Sequence, residues 1–230
     1  MSLGFRIVAM PSRPSKALVA GLAEMVTPNL SDVMGGVQGS GGELKPMHRG
    51  AGTAAQKMMC GPAFTVKTAP GNNLMLQKAL NIAEPGDVIV VDAGGTIDRA
   101  IMGEIIARYA ASRGLGGIVI DGAIRDAAAL SSSDFPVFAR YRTPVQSIAR
   151  WKVNGWQEPV SVRGATSQWV TVHPGDFVLG DEDGVLVIPN DVVDTVLIQA
   201  EHLTEKERLI RTELQQGLSL AEALAKYGHV

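Results

Sequence analysis

Residues 88–126 read VIVVDAGGTIDRAIMGEIIARYAASRGLGGIVIDGAIRD, and this stretch decides the fold class. Two continuous apolar runs, Val88–Ala93 and Gly117–Gly122, have the length and composition of strands that are buried on both faces. The segment Met102–Ser112 between them carries apolar residues at helical spacing and stops at Gly114. This order of strand, helix and strand predicts an α/β core.

The residues before this stretch continue the alternation of strands and helices. An amphipathic helix is predicted over Ser15–Met25, followed by a short turn or helix that opens at Asn29. The glycine-rich segment Gly35–Pro46 is predicted to be an exposed loop. The alternating run Ala63–Ala69 predicts a strand, and Asn73–Ala83 has the apolar spacing of a helix.

The residues after it add strands without helical crossovers. Residues 161–189 predict several short strands, with tight turns at Pro174–Gly175 and Asp183–Gly184. A long amphipathic helix is predicted over Asp191–Gln216, and a capping box at Ser219–Glu222 opens a last helix. We therefore expect an α/β domain with mixed sheets at residues 1–189 and a helical C-terminal extension of the same domain at 190–230.

Composition excludes several classes of protein. The chain has 230 residues, with 46% hydrophobic and 19% charged residues and a formal net charge of −2, which is typical of a globular domain. The absence of a basic surplus argues against a nucleic acid or an anionic membrane as partner. No apolar run is long enough for a bilayer span or a secretory signal. A single cysteine, Cys60, fits a reducing compartment, so we expect a cytoplasmic protein.

Common catalytic and cofactor motifs are missing from the sequence. There is no Gly-x-Gly-x-x-Gly and no Walker-type loop, so nucleotide binding has no support. The four histidines are scattered and have no cysteine partner, which argues against zinc. The Gly-x-Ser-x-Gly motif of a serine hydrolase is also absent.

What remains is a set of charged residues at the ends of the two central strands. Ligands of open α/β sheets bind beyond the carboxyl ends of strands. The amides of Gly103, Glu104, Ile105 and Ile106 would open the intervening helix and suit a carboxylate or a phosphate. The guanidinium of Arg125 suits a carboxylate or enolate oxygen, and the carboxylate of Asp126 suits Mg²⁺.

Each of these residues also has a structural interpretation, which the spacing alone leaves open. Asp126 precedes an apolar helix and fits an N-cap. Glu104 fits a favourable charge in the first turn of a helix, and Arg125 fits a surface ion pair. The remaining aspartates of this region fit turn-forming or capping positions; they are Asp92, Asp98 and Asp121.

The stretch Gly94–Asp126, with the later HPGDFVLGDEDGVLVIP, resembles the superfamily of the regulator of ribonuclease activity A. This superfamily includes the divalent-metal 4-hydroxy-4-methyl-2-oxoglutarate/4-carboxy-4-hydroxy-2-oxoadipate aldolases. Its pattern is Gly-Asp/Glu, twenty residues, then Arg-Asp, which stands here as Gly103-Glu104 and Arg125-Asp126. The resemblance covers roughly Leu22–Pro189. It implies a swivelling β/β/α-type domain that assembles as a homotrimer or homohexamer with sites between subunits.

The resemblance also implies roles for individual residues. Asp126 would bind Mg²⁺ or Mn²⁺, and Arg125 would hold the pyruvyl oxygen. The backbone from Gly103 to Ile106 would bind the substrate carboxylate. Glu104 stands where the aldolases carry Asp and would hydrogen-bond a water on the metal. A glutamate of the neighbouring subunit's C-terminal segment would complete the site; the candidates are Glu201, Glu205 and Glu207, with Glu207 favoured.

The implied activity is a class II pyruvate aldolase that cleaves 4-hydroxy-2-oxo acids and decarboxylates oxaloacetate as a side reaction. The alternative from the same superfamily is a non-catalytic protein that binds and inhibits ribonuclease E. Members of that branch are shorter, and about forty residues follow Pro189 here, which favours the aldolase. A third hypothesis is a Schiff-base aldolase that uses Lys67.

Overall fold

The computed structural model describes residues 8, 10–11, 13–34, 45–46, 59–147, 155–164 and 169–228. The helices in these residues are α1 (Lys16–Ala23), α2 (Thr27–Val33), α3 (Leu74–Ile82), α4 (Glu104–Ser112), α5 (Ala127–Ser131), α6 (Val193–Gln215) and α7 (Leu220–Tyr227). The strands are β1 (Lys45–Pro46), β2 (Met59–Lys67), β3 (Val88–Met102), β4 (Gly117–Ile124), β5 (Val137–Arg142), β6 (Val160–Val162), β7 (Val170–Val172), β8 (Phe177–Gly180) and β9 (Val185–Ile188). Most of the predicted loop Gly35–Pro46, namely residues 35–44, lies outside the described residues.

One seven-stranded mixed sheet forms the centre of the fold. Its strand order is β1-β5-β4-β3-β2-β8-β9. The four strands β2 to β5 run parallel to one another, whereas β1 pairs antiparallel with β5, β8 with β2, and β9 with β8. Strands β6 and β7 form a separate antiparallel pair. The prediction of an α/β fold with mixed sheets is therefore confirmed.

The large sheet separates two apolar layers. Buried side chains of α3, α4 and α5 pack on one face, where Leu76, Ala107 and Leu130 meet Ile89 and Ile120. The other face packs against the small sheet, whose contributions are Val160, Val162, Val170 and Val172. A third cluster joins α1, α2 and α6 to β8 and β9. The order small sheet, large sheet, helices gives a β/β/α arrangement.

The C-terminal residues form the two helices that the sequence predicts. Helix α6 packs through Val193, Val196 and Ala200 against the cluster that includes Leu22 and Leu30. Helix α7 begins with a capping box between Ser219 and Glu222. Within the part of the chain that is described, no helix combines the length and the apolar character that a bilayer crossing needs.

Strand β3 is longer than the sequence predicts. A turn was expected after Asp92, but the strand continues to Met102 with three register shifts opposite β4. The two larger shifts are excursions of the strand, between Asp92 and Thr96 and between Thr96 and Ala100, and a smaller one lies between Ala100 and Met102. Gly94 and Gly95 adopt φ angles of +65° and +64° in the first excursion, a conformation that glycine adopts without strain. Because the strand extends this far, α4 begins at Glu104 and not at the predicted Met102.

Asp121 is also not the turn residue that we expected. It lies inside β4, and its buried carboxylate forms an ion pair with Arg140 of β5. The two side chains project from neighbouring strands on the face that carries the small sheet. The spacing of apolar residues does not reveal a charged pair inside a strand, so the prediction that Asp121 is a turn residue was wrong.

Candidate active site

The candidate site lies where β3 and β4 end side by side. Met102 pairs with Ile124, and the backbone N–H of Arg125 donates to the carbonyl of Met102 at 3.0 Å. This pairing brings Gly103 next to Arg125 and Asp126, although more than twenty residues separate them in the sequence. A pocket of about 60 Å³ opens there, lined by Asn73, Ala100, Met102, Gly103, Ile105, Ile106, Arg125, Asp126 and Ser147.

Asp126 has a backbone conformation that points to function. Its φ and ψ of 58° and 36° are left-handed, which is uncommon outside glycine. It occupies the N-cap position of α5, but its side chain caps nothing there. Oδ2 instead accepts a hydrogen bond from the backbone N–H of Glu104 at 3.1 Å. The carboxylate therefore crosses to the start of α4 and faces the pocket.

Residue 103 must be glycine because of the space that this carboxylate occupies, and not because of its own backbone conformation. Its φ of −144° is open to any residue. A Cβ at this position would stand 2.2 Å from Oδ2 of Asp126 and 3.0 Å from Cγ of Arg125. Only glycine lets the carboxylate lie this close to the helix.

Arg125 lies beside the carboxylate of Asp126, and its side chain is partly exposed. Its Nε lies 3.7 Å from Oδ2 of Asp126, and its side chain is 40% exposed. A guanidinium has five N–H donors in a planar fork, which matches an oxo or carboxylate oxygen of a ligand. The expected placement of Arg125 and Asp126 in one site is thus present in the geometry.

The sequence predicts four free amides at the start of α4, but the structure shows that one of them is occupied. The N–H of Glu104 is already used by Asp126. The carboxylate of Glu104 pairs with Arg108 along the helix and does not line the pocket. Gly103, Ile105 and Ile106 do line it. The role of Glu104 toward a metal-associated water stays a prediction.

Asn73 and Ser147 line the pocket and were missed by the sequence interpretation. The side chain of Asn73 is 9% exposed, and it makes no cap hydrogen bond to α3. An Asn just before a helix is normally taken as an N-cap, so its sequence position suggested no ligand role. Ser147 lies in the segment after β5, which carries no motif.

The C-terminal glutamates lie away from the pocket of their own protomer. Glu207 Oε2 is 3.4 Å from Nδ2 of Asn29 and 3.3 Å from Nη1 of Arg211. Glu205 pairs with Arg208, while Glu201 is exposed on α6. A reach of Glu207 into a neighbouring subunit's site stays a prediction.

Neither Lys67 nor the single cysteine, Cys60, lies in the pocket lining. Nζ of Lys67 is 3.6 Å from Oδ2 of Asp92 and its side chain is half exposed, as expected of a solvated surface lysine. Burial raises the pKa of the Cys60 thiol to about 12, so the thiolate is scarce at neutral pH. The structure gives these residues no chemical partner at the site.

The residues present fit a hard divalent cation. Mg²⁺ is commonly held by one or two protein carboxylates, with water and substrate completing its shell. Asp126 offers such a carboxylate, 43% exposed at the pocket and fixed by the Glu104 amide. The described residues contain no group of three His, Cys, Asp or Glu side chains that would form an all-protein cage. A site with one protein ligand is consistent with both observations.

Comparisons with known proteins place the chain in one family. Residues 27–187 match the model of the RraA-like family, described as Aldolase/RraA. A Halalkalibacterium halodurans protein named "Putative 4-hydroxy-4-methyl-2-oxoglutarate aldolase" is 37% identical over 172 residues, which are 75% of this chain and 76% of that protein.

Two solved structures are also similar. An uncharacterized protein from Pseudomonas syringae pv. tomato has a TM-score of 0.77 at 26% identity, covering 93% of this chain and 99% of that one. The RNA-processing inhibitor RraA from Thermus thermophilis has a TM-score of 0.60 at 31% identity, covering 72% of this chain and 93% of that one.

Proposed function

The chain belongs to the RraA-like (Aldolase/RraA) family, and from this premise we propose that it is a divalent-metal-dependent aldolase. Its substrates would be 4-hydroxy-2-oxo acids such as 4-hydroxy-4-methyl-2-oxoglutarate or 4-carboxy-4-hydroxy-2-oxoadipate, cleaved to pyruvate and a second oxo acid. The observation that carries the proposal is the strained Asp126, whose carboxylate lies over Gly103 and beside Arg125.

The residues of the pocket have complementary tasks in this reaction. Arg125 hydrogen-bonds the C2 oxygen of the substrate and stabilises the negative charge that develops there when the C3–C4 bond breaks. The amides of Gly103, Ile105 and Ile106 receive the C1 carboxylate, helped by the dipole of α4. Asp126 would hold Mg²⁺ or Mn²⁺, which would supply Lewis-acid chemistry at the site. Oxaloacetate gives the same pyruvate enolate on loss of CO₂, so we expect decarboxylation as a side activity.

We further propose that the active form is a homotrimer or homohexamer with its sites between subunits. Ile97 and Ile105 are 56% and 77% exposed on the elements that build the pocket. A second subunit that covered them would bury apolar surface and enclose the substrate. Glu207 of the neighbouring subunit would then complete the site.

The decisive test is pyruvate release from 4-hydroxy-4-methyl-2-oxoglutarate and from oxaloacetate, with Mg²⁺ and then with EDTA. We expect turnover that EDTA abolishes. Asp126→Asn removes the charge that holds the cation and should lower kcat/KM by about 10² or more. Asp98→Asn removes the same charge from an exposed position of β3 that does not line the pocket, and it should leave the rate unchanged.

Turnover that survives EDTA, or an Asp126→Asn variant with the wild-type rate, would contradict the metal-dependent mechanism. A covalent adduct with pyruvate that borohydride traps would instead support a Schiff-base mechanism that uses a lysine such as Lys67.

The second candidate function is a protein that inhibits ribonuclease E. The likeness to the RNA-processing inhibitor RraA from Thermus thermophilis favours it. Co-purification with ribonuclease E and slower RNA cleavage, in a preparation that releases no pyruvate, would establish this alternative over the aldolase.

A further inference from the structure

We propose that Arg99 binds the far carboxylate of the substrate and so makes the site selective for dicarboxylic 2-oxo acids. This inference rests on the proposed aldolase function, because it assigns a residue to the end of the substrate away from the bond that breaks. Neither the family pattern of Gly103 and Asp126 nor the pocket lining includes Arg99.

The side chain of Arg99 spans two segments of the chain. It projects from the second excursion of β3, between Thr96 and Ala100. Its aliphatic stem packs on Gly71, where a Cβ would stand only 2.8 Å from Cδ of Arg99. Its Nη1 donates to the backbone carbonyl of Gln146 at 3.4 Å.

Both segments lead directly into the pocket wall. Gly71 precedes Asn73 by two residues, and Gln146 precedes Ser147. Ala100, the residue after Arg99, lines the pocket, and its N–H donates to the carbonyl of Val145 at 2.9 Å. Arg99 therefore contacts the two segments that flank the rim of the pocket, one leading to Asn73 and the other to Ser147.

This guanidinium has unused binding capacity. Within the described residues its hydrogen bond to Gln146 accounts for a single N–H of the five that an arginine carries. It forms no ion pair with any carboxylate in the described parts of the chain, whereas Arg13, Arg108 and Arg140 all do. A half-buried cation without a counter-charge favours an anionic ligand, and a carboxylate matches its planar fork.

The orientation of the substrate supplies that anion. Arg125 and the amides of α4 take the 2-oxo acid end, so the other end of the molecule extends toward the rim. In 4-hydroxy-4-methyl-2-oxoglutarate that end is a second carboxylate. A charge-assisted hydrogen bond to Arg99 would then discriminate against substrates whose far end is a methyl group.

Two 2-oxo acids of equal chain length test this without any turnover. 2-Oxoglutarate ends in a carboxylate and 2-oxopentanoate in a methyl group, and the Kd of each is measured by calorimetry in the presence of Mg²⁺. We expect the wild-type protein to prefer 2-oxoglutarate about tenfold. Arg99→Met keeps the stem over Gly71 but removes the charge, and it should abolish the preference without changing the Kd of 2-oxopentanoate.

Arg142→Met is the matched control, because Arg142 is exposed at the end of β5 and does not line the pocket. It should retain the preference. A preference that persists in Arg99→Met, or one that Arg142→Met also loses, would overturn the assignment.

Three further results separate the two proposals. Equal weakening of both ligands in Arg99→Met would show that Arg99 only positions the loops. A wild-type protein that cleaves its substrate but binds both oxo acids equally would refute the role of Arg99 alone. A protein that binds neither oxo acid and releases no pyruvate would refute the proposed function as well.

Discussion

Gly103 and Asp126 depend on each other, and this pair explains why two distant motifs occur together. The left-handed backbone of Asp126 turns its carboxylate toward α4. The carboxylate occupies the space that a side chain at residue 103 would fill. A glycine and an aspartate more than twenty residues apart thus form one steric unit.

Gly103→Ala should inactivate the protein without unfolding it. The added Cβ would stand 2.2 Å from Oδ2 of Asp126, so the carboxylate must move, while a φ of −144° costs alanine nothing. A displacement on the order of 1 Å at a catalytic group lowers the rate by about 10². Pyruvate release and Mg²⁺ affinity measure the loss, and Tm should stay close to the wild-type value. A Gly103→Ala variant with the wild-type rate would show that catalysis does not depend on the position of the Asp126 carboxylate over residue 103.

At the scale of elements, a buried ion pair joins the chain before α1 to the residues just before β3. Arg13 donates from Nε and Nη2 to the two carboxylate oxygens of Asp87, at 3.1 and 2.8 Å. The side chain of Asp87 is 1% exposed, and its Oδ2 also accepts from the N–H of Glu84. Asp87 lies just before β3, so this contact joins the N-terminal segment to the strand that builds the site.

Arg13→Ala should destabilise the protein by about 3 kcal/mol, because it leaves a buried carboxylate without its counter-charge. Urea unfolding would measure the change in the free energy of unfolding. Glu84→Gln is the control: its side chain is 62% exposed and contacts the same arginine, so the change should stay within about 0.5 kcal/mol. Equal effects of the two substitutions would mean that burial of Asp87 is unimportant.

The two C-terminal helices are joined by contacts that depend on pH. The hydrogen bond from Lys226 holds the pKa of Glu213 below its ordinary value of 4.5. The hydroxyl of Ser219 does the same for Glu222 in the capping box. Because both pKa values are lowered in the folded state, the carboxylates stabilise α7 above pH 4.5 and lose this effect as the pH falls through the lowered values.

Hydrogen exchange of Leu220–Tyr227 should therefore lose protection below pH 4.5, after correction for the intrinsic rate. Glu222→Gln should show weaker protection of α7 at pH 7 and a smaller change with pH. Protection that is independent of pH in the wild-type chain would contradict the role of these carboxylates.

At the scale of the whole molecule, exposed apolar residues lie on the two elements that build the site. Ile97, Ile105 and Tyr109 are 56%, 77% and 42% exposed on β3 and α4. We expect Ile97→Glu to dissociate the proposed assembly, because it would bury a charge in a subunit interface. Sedimentation velocity gives the oligomeric state, and pyruvate release should fall with it. Ile198→Glu, at a residue 54% exposed on α6, should leave both unchanged. A wild-type chain that sediments as a monomer would refute the assembly.

The sequence by itself determined the elements whose signal is local. The strands around Val90 and Ile120 and the helix after Gly103 follow from apolar spacing, and the capping box follows from Ser219 and Glu222. These features depend on neighbours within a few residues, so reading the chain finds them. The pairing of Arg125 with Asp126 was also within reach, because the two residues are adjacent.

Only the tertiary structure decided which distant residues share the pocket. Asn73, Ala100 and Ser147 come from three separate segments, and the strand order of the sheet brings them to one edge. The left-handed turn at Asp126 likewise depends on the Glu104 amide that receives its carboxylate. Such contacts join residues through space across hydrogen-bonded strands, and no periodicity along the chain records them.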